Sequence, residues 1–199
     1  MPEAATSSHR RLTPKREAEL YEAVLSLLRE VGYDALTMDA VATRTRCSKA
    51  TLYRQWGGKA KLVVRAVQCV GKGTSLMGTD IDTGSLKGDL HALVLRSDDS
   101  EAERLYPLMR GLTMAIHGNP ELLRVFQEYL IEPERAAFGR VLRRAVDRGE
   151  IRAANPAIGY VLHMMIGAYT ARAMVEDQPP KQAFFLSYID SVVLPVLVS

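Results

Sequence analysis

The stretch Ser48-Lys49-Ala50-Thr51-Leu52-Tyr53-Arg54-Gln55-Trp56 gathers on one short segment the side chains that recognise a polyanion. Ser48 is an N-cap residue type, whose hydroxyl satisfies a free N–H where a helix begins. Leu52 and Trp56 lie four apart and pack inward, which leaves Lys49, Thr51 and Tyr53 facing out and Arg54 and Gln55 at the rim. Small side chains near a helix N-terminus (Ala50, Thr51) admit base edges, and the basic and hydroxyl groups around them hold phosphates. Other chemistries find little support. His9, His91, His117 and His163 have no metal-ligand spacing, so neither a metal nor a cofactor is expected. Cys47 and Cys69 give no disulfide framework and fit reduced thiols in a cytoplasm. There is no glycine-rich phosphate loop after a strand, no G-x-S-x-G and no H-E-x-x-H. A small all-α enzyme would need paired titratable groups on an apolar wall, and only His163 offers itself, without a convincing carboxylate partner.

The elements that must hold this segment are helical throughout. From Pro14, Leu20, Val24, Leu27, Leu28 and Val31 form one apolar face, and Gly32 stops that helix. Thr37 caps a short helix with Met38 and Val41 behind it, Ser48 caps the next, and Gly57-Gly58 ends it. A longer helix opens near Lys59 and carries Leu62, Val63, Ala66 and Val67. The Gly-, Thr- and Ser-rich run from Gly71 to Gly84 reads as a linker. Beyond it, helices are predicted over 86–95 and 100–117. Another runs from Asn119-Pro120 toward Arg148 with a kink near Pro133, a fourth over 155–175, and a last one from Pro179-Pro180. No alternating strand pattern appears, so the fold class is all-α: a three-helix helix-turn-helix head and an antiparallel helical bundle. The expected division is a flexible arm over 1–13, the head over 14–58, a connecting helix and linker over 59–78, and a helical body over 79–199.

Composition agrees with a DNA-binding head. Residues 1–70 hold 12 Lys/Arg against 7 Asp/Glu, whereas residues 71–199 hold 14 against 16. A basic head on a mildly acidic body suits a polyanionic partner. Arg10 and Arg11 form a basic pair that can reach a minor groove or remain a solvated tail. No apolar run is long enough for a membrane span, and no signal peptide is expected, so the predicted location is cytoplasmic.

The run LTMDAVATRTRCSKATLYRQWGGKAKLVVRAV resembles the DNA-binding domain of the TetR family of bacterial repressors. Thr37, Ser48, Lys49, Thr51, Leu52, Tyr53, Trp56 and Lys59 fall on that family's pattern, and the likeness covers about residues 15–70. The resemblance implies that Thr37, Tyr53 and Lys59 hold phosphate oxygens and that Lys49 and Thr51 reach base edges. It departs at Arg46, where the family commonly has glycine. Arg46 either carries the strain of a left-handed turn or adds a phosphate contact.

The same resemblance implies a ligand inside the C-terminal bundle and a homodimer through the last two helices, which a palindromic operator on double-stranded DNA requires. Gly159, His163, Gly167 and Ala171, spaced by four, form a narrow stripe that permits close helix approach. Tyr106, Met109, Phe126, Tyr129, His163, Met164 and Tyr169 are the candidate pocket residues, because methionines and aromatics give an adaptable lining with a few polar handles. The expected function is a repressor that a small hydrophobic or amphipathic effector releases from DNA. A ligand-independent DNA-binding protein is the alternative, and an accessible cavity in the bundle separates the two.

Overall fold

Seven side chains begin helices by accepting a backbone N–H: Thr13 from Arg16, Thr37 from Ala40, Ser48 from Thr51, Ser85 from Gly88, Asp98 from Ser100, Asn119 from Leu122 and Asn155 from Ala157. The computed structural model describes residues 12–71, 81–96 and 98–199. The arm carrying Arg10 and Arg11 and most of the linker after Gly71 lie outside the described residues. The described residues are helical with no strand.

Helix α1 (Pro14–Ala35) breaks at Gly32, whose φ of 74° is left-handed, and one further turn follows. Helices α2 (Met38–Thr45) and α3 (Lys49–Trp56) form the helix-turn-helix, and α4 (Lys59–Val70) leaves through Gly57 and Gly58. Then come α5 (Leu86–Leu95), α6 (Asp99–Ile116) and α7 (Pro120–Phe126). A π-helical turn, Gln127–Ile131, joins α7 to α8 (Glu132–Asp147). A 3₁₀ turn (Pro156–Tyr160) leads into α9 (Val161–Glu176). Finally α10 (Gln182–Tyr188) passes through a second π-helical turn, Ile189–Val193, into α11 (Leu194–Val198).

Both π-helical turns end two residues before a proline, Pro133 and Pro195. A proline inside a helix has no N–H to donate, and its ring crowds the carbonyl four residues back. Widening the preceding turn by one residue relieves that crowding. The expected break near Pro133 is therefore a π-turn inside a continuous run of helix, and Pro195 repeats it where only a plain helix was expected. The last helix also starts at Gln182, not at Pro179-Pro180: the residue before a proline, here Pro179, is driven out of the α region, and Lys181 is an extended N-cap.

The apolar interior falls into two clusters. The first joins α1–α4 to Leu105, Leu108 and Leu112 of α6 and to Leu122, Val125 and Phe126 of α7. The second joins α5, α8 and α9 to Ile189, Val193 and Leu197 near the C-terminus. The first core thus extends past the linker into α6 and α7.

A polar knot tightens the second core. Asp89 is fully buried and accepts from the Thr83 N–H (2.6 Å), the Thr83 hydroxyl (2.8 Å) and Arg148 Nη2 (3.1 Å). Arg148 also meets Glu150 and Asp82, and Glu150 accepts the Leu86 N–H at 2.6 Å. A Cβ on Gly88 would collide with the Thr83 hydroxyl, so α5 must begin with a glycine in this turn. Burial alone would raise the Asp89 pKa, but the Thr83 and Arg148 bonds outweigh it and hold the carboxyl below its ordinary range. That stabilisation is complete above the unfolded carboxyl pKa of about 3.9 and is lost as pH falls through the folded value. Asp89→Asn should lower the unfolding free energy by about 2–4 kcal/mol at pH 7 in urea melts. The gap to the wild type should begin to narrow below about pH 4 and close once pH has fallen through the lower folded value, where both side chains are neutral; equal stability at pH 7 would show the knot to be dispensable.

Candidate nucleic-acid interface and ligand cavity

Helix α3 is fixed from behind by Leu52 and Trp56, both buried. The Trp56 indole N–H donates to the Tyr21 hydroxyl at 3.0 Å, and the two rings meet edge to face with centroids 5.9 Å apart. Tyr21 in turn donates to Glu17 at 2.7 Å, and burial followed by that bond pushes its hydroxyl up to about 12, so it remains a neutral donor. The chain of Glu17, Tyr21 and Trp56 sets the rotation of α3 on α1.

That rotation turns Lys49, Ala50, Tyr53 and Arg54 to the exterior, with Tyr53 45% exposed. Two residues sit deeper than expected. Thr51 is half-buried, its hydroxyl within 2.8 Å of Ser48 Oγ and 3.4 Å from Arg54 Nη2. Gln55 is half-buried rather than at the rim, its Oε1 enclosed without a hydrogen bond. Thr37 stands exposed at the head of α2. Lys49 Nζ donates to Asp39 Oδ2 at 2.9 Å, and that bond raises the lysine pKa and keeps the ammonium charged. Lys59 Nζ lies 4.3 Å from the Tyr33 ring centre and donates to the Tyr33 carbonyl at 3.0 Å and the Asp34 carbonyl at 3.4 Å, tying α4 to the end of α1.

The turn between α2 and α3 keeps its left-handed angle without glycine. Arg46 has φ 51° and ψ 38°, its N–H donates to the Thr43 carbonyl, and the Cys47 N–H donates to the Ala42 carbonyl, closing a Schellman motif. Arg16 from α1 donates to the Thr45 carbonyl beside it. The side chain of Arg46 remains exposed.

A cavity of about 530 Å³ lies where the two cores meet. Val67, Leu105 and Phe126 of the first core face Leu90, Phe138 and Ile189 of the second across it. Its size and mostly apolar lining suit a small amphipathic molecule. Of the candidates by residue type, Met109, Phe126 and Tyr169 line it; Tyr106, Tyr129, His163 and Met164 do not. The π-turn explains Tyr129, because the extra residue rotates the register so that Leu130 and Ile131 face the cavity instead. The Tyr129 ring packs under Lys61 (5.2 Å) and Arg65 (5.5 Å) of α4, and its carbonyl, which Pro133 has no N–H to meet, accepts from Gln68 Nε2 at 2.9 Å. Tyr106 stands behind Tyr169 with ring centres 6.3 Å apart and its hydroxyl buried without a partner. Met164 packs on the second core. His163 is exposed beside the Tyr160 ring and edges a separate hollow of about 390 Å³ between α8 and α9, so it is neither a core nor a cavity residue.

The wall that α9 presents to the cavity is Leu162, Met165, Ile166, Tyr169 and Thr170. Of that wall, Tyr169 is among the candidates chosen by residue type. Burial, with the nearby Tyr106 phenol, pushes Tyr169 up to about 12, so it lines the cavity as a neutral phenol. The opposite side of α9 is bare: Gly159, Tyr160, His163, Gly167, Ala171 and Met174 are all exposed, Met174 at 87%. Val192, Pro195 and Val196 are exposed on the final helical run.

Two family descriptions match the chain. One, for bacterial regulatory proteins of the tetR family, matches residues 20–66, and the other, the tetracyclin repressor-like C-terminal domain, matches residues 80–192. The chain belongs to the TetR family. An HTH-type transcriptional regulator of Mycobacterium tuberculosis is 37% identical to this TetR-family chain over 186 residues, covering 92% of this chain and 88% of the relative. A DNA-binding transcriptional repressor TetR of Mycobacteroides abscessus is 30% identical over 185 residues, covering 92% and 94%. Salmonella enterica GusR shares the fold with a TM-score of 0.69 at 16% identity, over 96% of this chain and all of that one. This TetR-family protein is a helix-turn-helix transcriptional regulator with DNA as its partner. Among the described residues, no helix is long and apolar enough to cross a membrane.

Arg46 gives the head a direct test. Arg46→Gly should raise the unfolding free energy by about 0.5–1 kcal/mol, since glycine takes the left-handed angle without the side-chain clash. Anisotropy on duplex DNA with the same variant separates the two roles of this residue: unchanged affinity leaves only strain, and a loss marks a phosphate contact.

Proposed function

We propose that this regulator is a cytoplasmic homodimeric repressor that grips a palindromic operator through α3 of each protomer and lets go when a small amphipathic molecule fills the cavity. The observation that carries this reading is the position of the cavity between the core that includes the head and the core that borders the bare face of α9. In this reading Lys49, Ala50, Tyr53 and Arg54 meet the major groove, with Thr37, Arg46, Ser48, Thr51 and Lys59 flanking toward phosphates, while the half-buried Gln55 supports α3 from within. Lys59 exchanges its Tyr33 and Asp34 carbonyls for a phosphate oxygen or contributes through the α4 N-terminus. The bare stripe of α9 and the exposed residues of α10–α11 pair with their copies in the partner as an isologous four-helix interface.

Release is a population shift. A ligand that separates the two cores displaces Val67 and Gln68 of α4, which stand on the cavity wall, and Leu123 and Phe126 of α7. Both helices reach the head. Glu121, in the first turn of α7, approaches Gly58 between α3 and α4, and Tyr129 is clasped by Lys61, Arg65 and Gln68. Tilting α4 moves the two recognition helices away from the spacing of about 34 Å between successive major grooves.

Fluorescence anisotropy on duplex DNA from upstream of the protein's own gene, against a scrambled duplex at two salt concentrations, tests the DNA reading. Tyr53→Ala should weaken operator binding about 10-fold or more, and Lys49→Ala should also flatten the salt dependence by about one unit of slope. Equal, salt-insensitive binding to both duplexes would sink it. For the dimer, light scattering of a Gly167→Arg, Val196→Arg variant should give the 22.0 kDa of one chain; an unchanged larger mass would place the interface elsewhere. For the cavity, a thermal-shift screen against hydrophobic compounds should find binders that lower operator affinity. Tight binders that leave DNA affinity untouched would exclude the proposed lever.

A further inference from the structure

We infer that Asp39 is a specificity determinant of the DNA-binding surface: its carboxylate occupies Lys49 in the free protein and keeps that lysine from random phosphates. This rests on the DNA interface proposed above and adds to it a group that works against binding. Asp39 lies in the first turn of α2, and Lys49 opens α3. Their side chains meet at 2.9 Å, with the exposed Tyr53 close enough to Lys49 to act on its charge. Asp39 is 72% exposed and Lys49 50%, so water and DNA both reach the pair. Of the other acidic residues in the head, Glu17 accepts from Tyr21, Glu19, Glu22 and Glu30 are engaged by Arg16, Arg104 and Arg44, and Asp34 stands exposed at the end of α1. Asp39 is the head carboxylate that holds a lysine of α3 itself.

Two consequences follow from charge alone. Lys49 releases no counterion from DNA while Asp39 holds it, and the carboxylate itself repels the backbone. An exposed ion pair of this kind contributes little to stability, so it yields once a better partner is offered. A cognate site supplies that partner through the base edges under Lys49, Ala50 and Tyr53. A random site offers only phosphate, and there the Asp39 contact competes. Discrimination then arises from a penalty on wrong sequences as well as from contacts to the right one.

The test uses the full chain and needs only a scrambled duplex together with the upstream duplex. Asp39→Asn should bind the scrambled duplex about 3–10-fold more tightly at low salt, with a salt slope steeper by about one, and with a lower ratio of upstream to scrambled affinity. In a Lys49→Ala background the same substitution should recover less than half of that gain, because no lysine is left to free. Glu22→Gln, which removes the same charge from the back of the head, is the control and should change binding less than 2-fold. Asp39→Ser serves as a second variant should the asparagine disturb the α2 cap, and a melting curve checks the fold of each. Equal gains from Asp39→Asn and Glu22→Gln, or a full gain without Lys49, would reduce Asp39 to bulk charge and overturn the inference. Weaker binding to both duplexes would overturn it too, by making Asp39 a support for Lys49. A wild type that binds neither duplex would remove the DNA interface first, and this inference with it.

Discussion

The apolar interior of this chain does not close into one core, and the rest of the molecule is arranged around that division. Leu20, Leu25, Leu52, Leu62, Leu112 and Leu122 bury themselves on one side; Leu86, Leu90, Ile189 and Leu197 do so on the other. A well-packed protein interior has few voids larger than a water molecule, so a hollow of several hundred cubic ångströms between two dense clusters has a cost that function must explain. Placing it at the seam keeps each cluster intact. The head stays rigid because Trp56, Tyr21 and Glu17 are satisfied within the first cluster, and α5 stays seated because Asp89 is satisfied within the second. On the proposed reading, displacement is then confined to the boundary, where α4 and α7 carry it.

The head is a compromise between affinity and restraint. Its positive groups are largely engaged inside the protein: Lys49 by Asp39, Lys59 by two carbonyls and the Tyr33 ring, Arg44 by Glu30, and Arg16 by Glu19 and the Thr45 carbonyl. Arg54 and Arg46 lie nearer to free solvent. On the proposed reading, Lys49 and Lys59 trade these internal partners for DNA oxygens, which makes binding strongly dependent on salt and on fit. The left-handed Arg46 adds backbone strain at the turn between α2 and α3 and puts one more positive charge beside α3.

Much of this was legible in the residues themselves, and the exceptions share a cause. Thr37, Ser48, Asn119 and Asn155 announced helix starts because capping is a local bond between neighbours. Leu52 and Trp56 announced the buried side of α3 through spacing alone. Tyr129 misled because a π-turn changes the period on which face assignment depends, and the sequence marks it only through Pro133. His163 misled because a histidine among apolar residues suggests enclosure, whereas the small residues at 159, 167 and 171 place it on the bare stripe of α9. Gln55 and Thr51 lie deeper than a helical projection suggests, since α3 is rotated by its indole bond to a residue 35 positions earlier. The union of α6 and α7 with the head core is a tertiary fact that no local pattern encodes.

The Tyr129 carbonyl lends itself to an evolutionary reading. It accepts from Gln68 at a place in the helix where residue 133, being proline, has no N–H to offer. Any other residue at 133 would restore a competing donor within the same helix, and the claim of α4 on that oxygen would weaken. The link between the cavity wall and the connecting helix is thus set by one codon remote from the helix-turn-helix, beside the cavity-lining Ile131 and Glu134. On the proposed reading, descendants of such a gene can become more or less responsive to an effector without altering the DNA they recognise, a separation that lets one scaffold be retuned without first losing its operator.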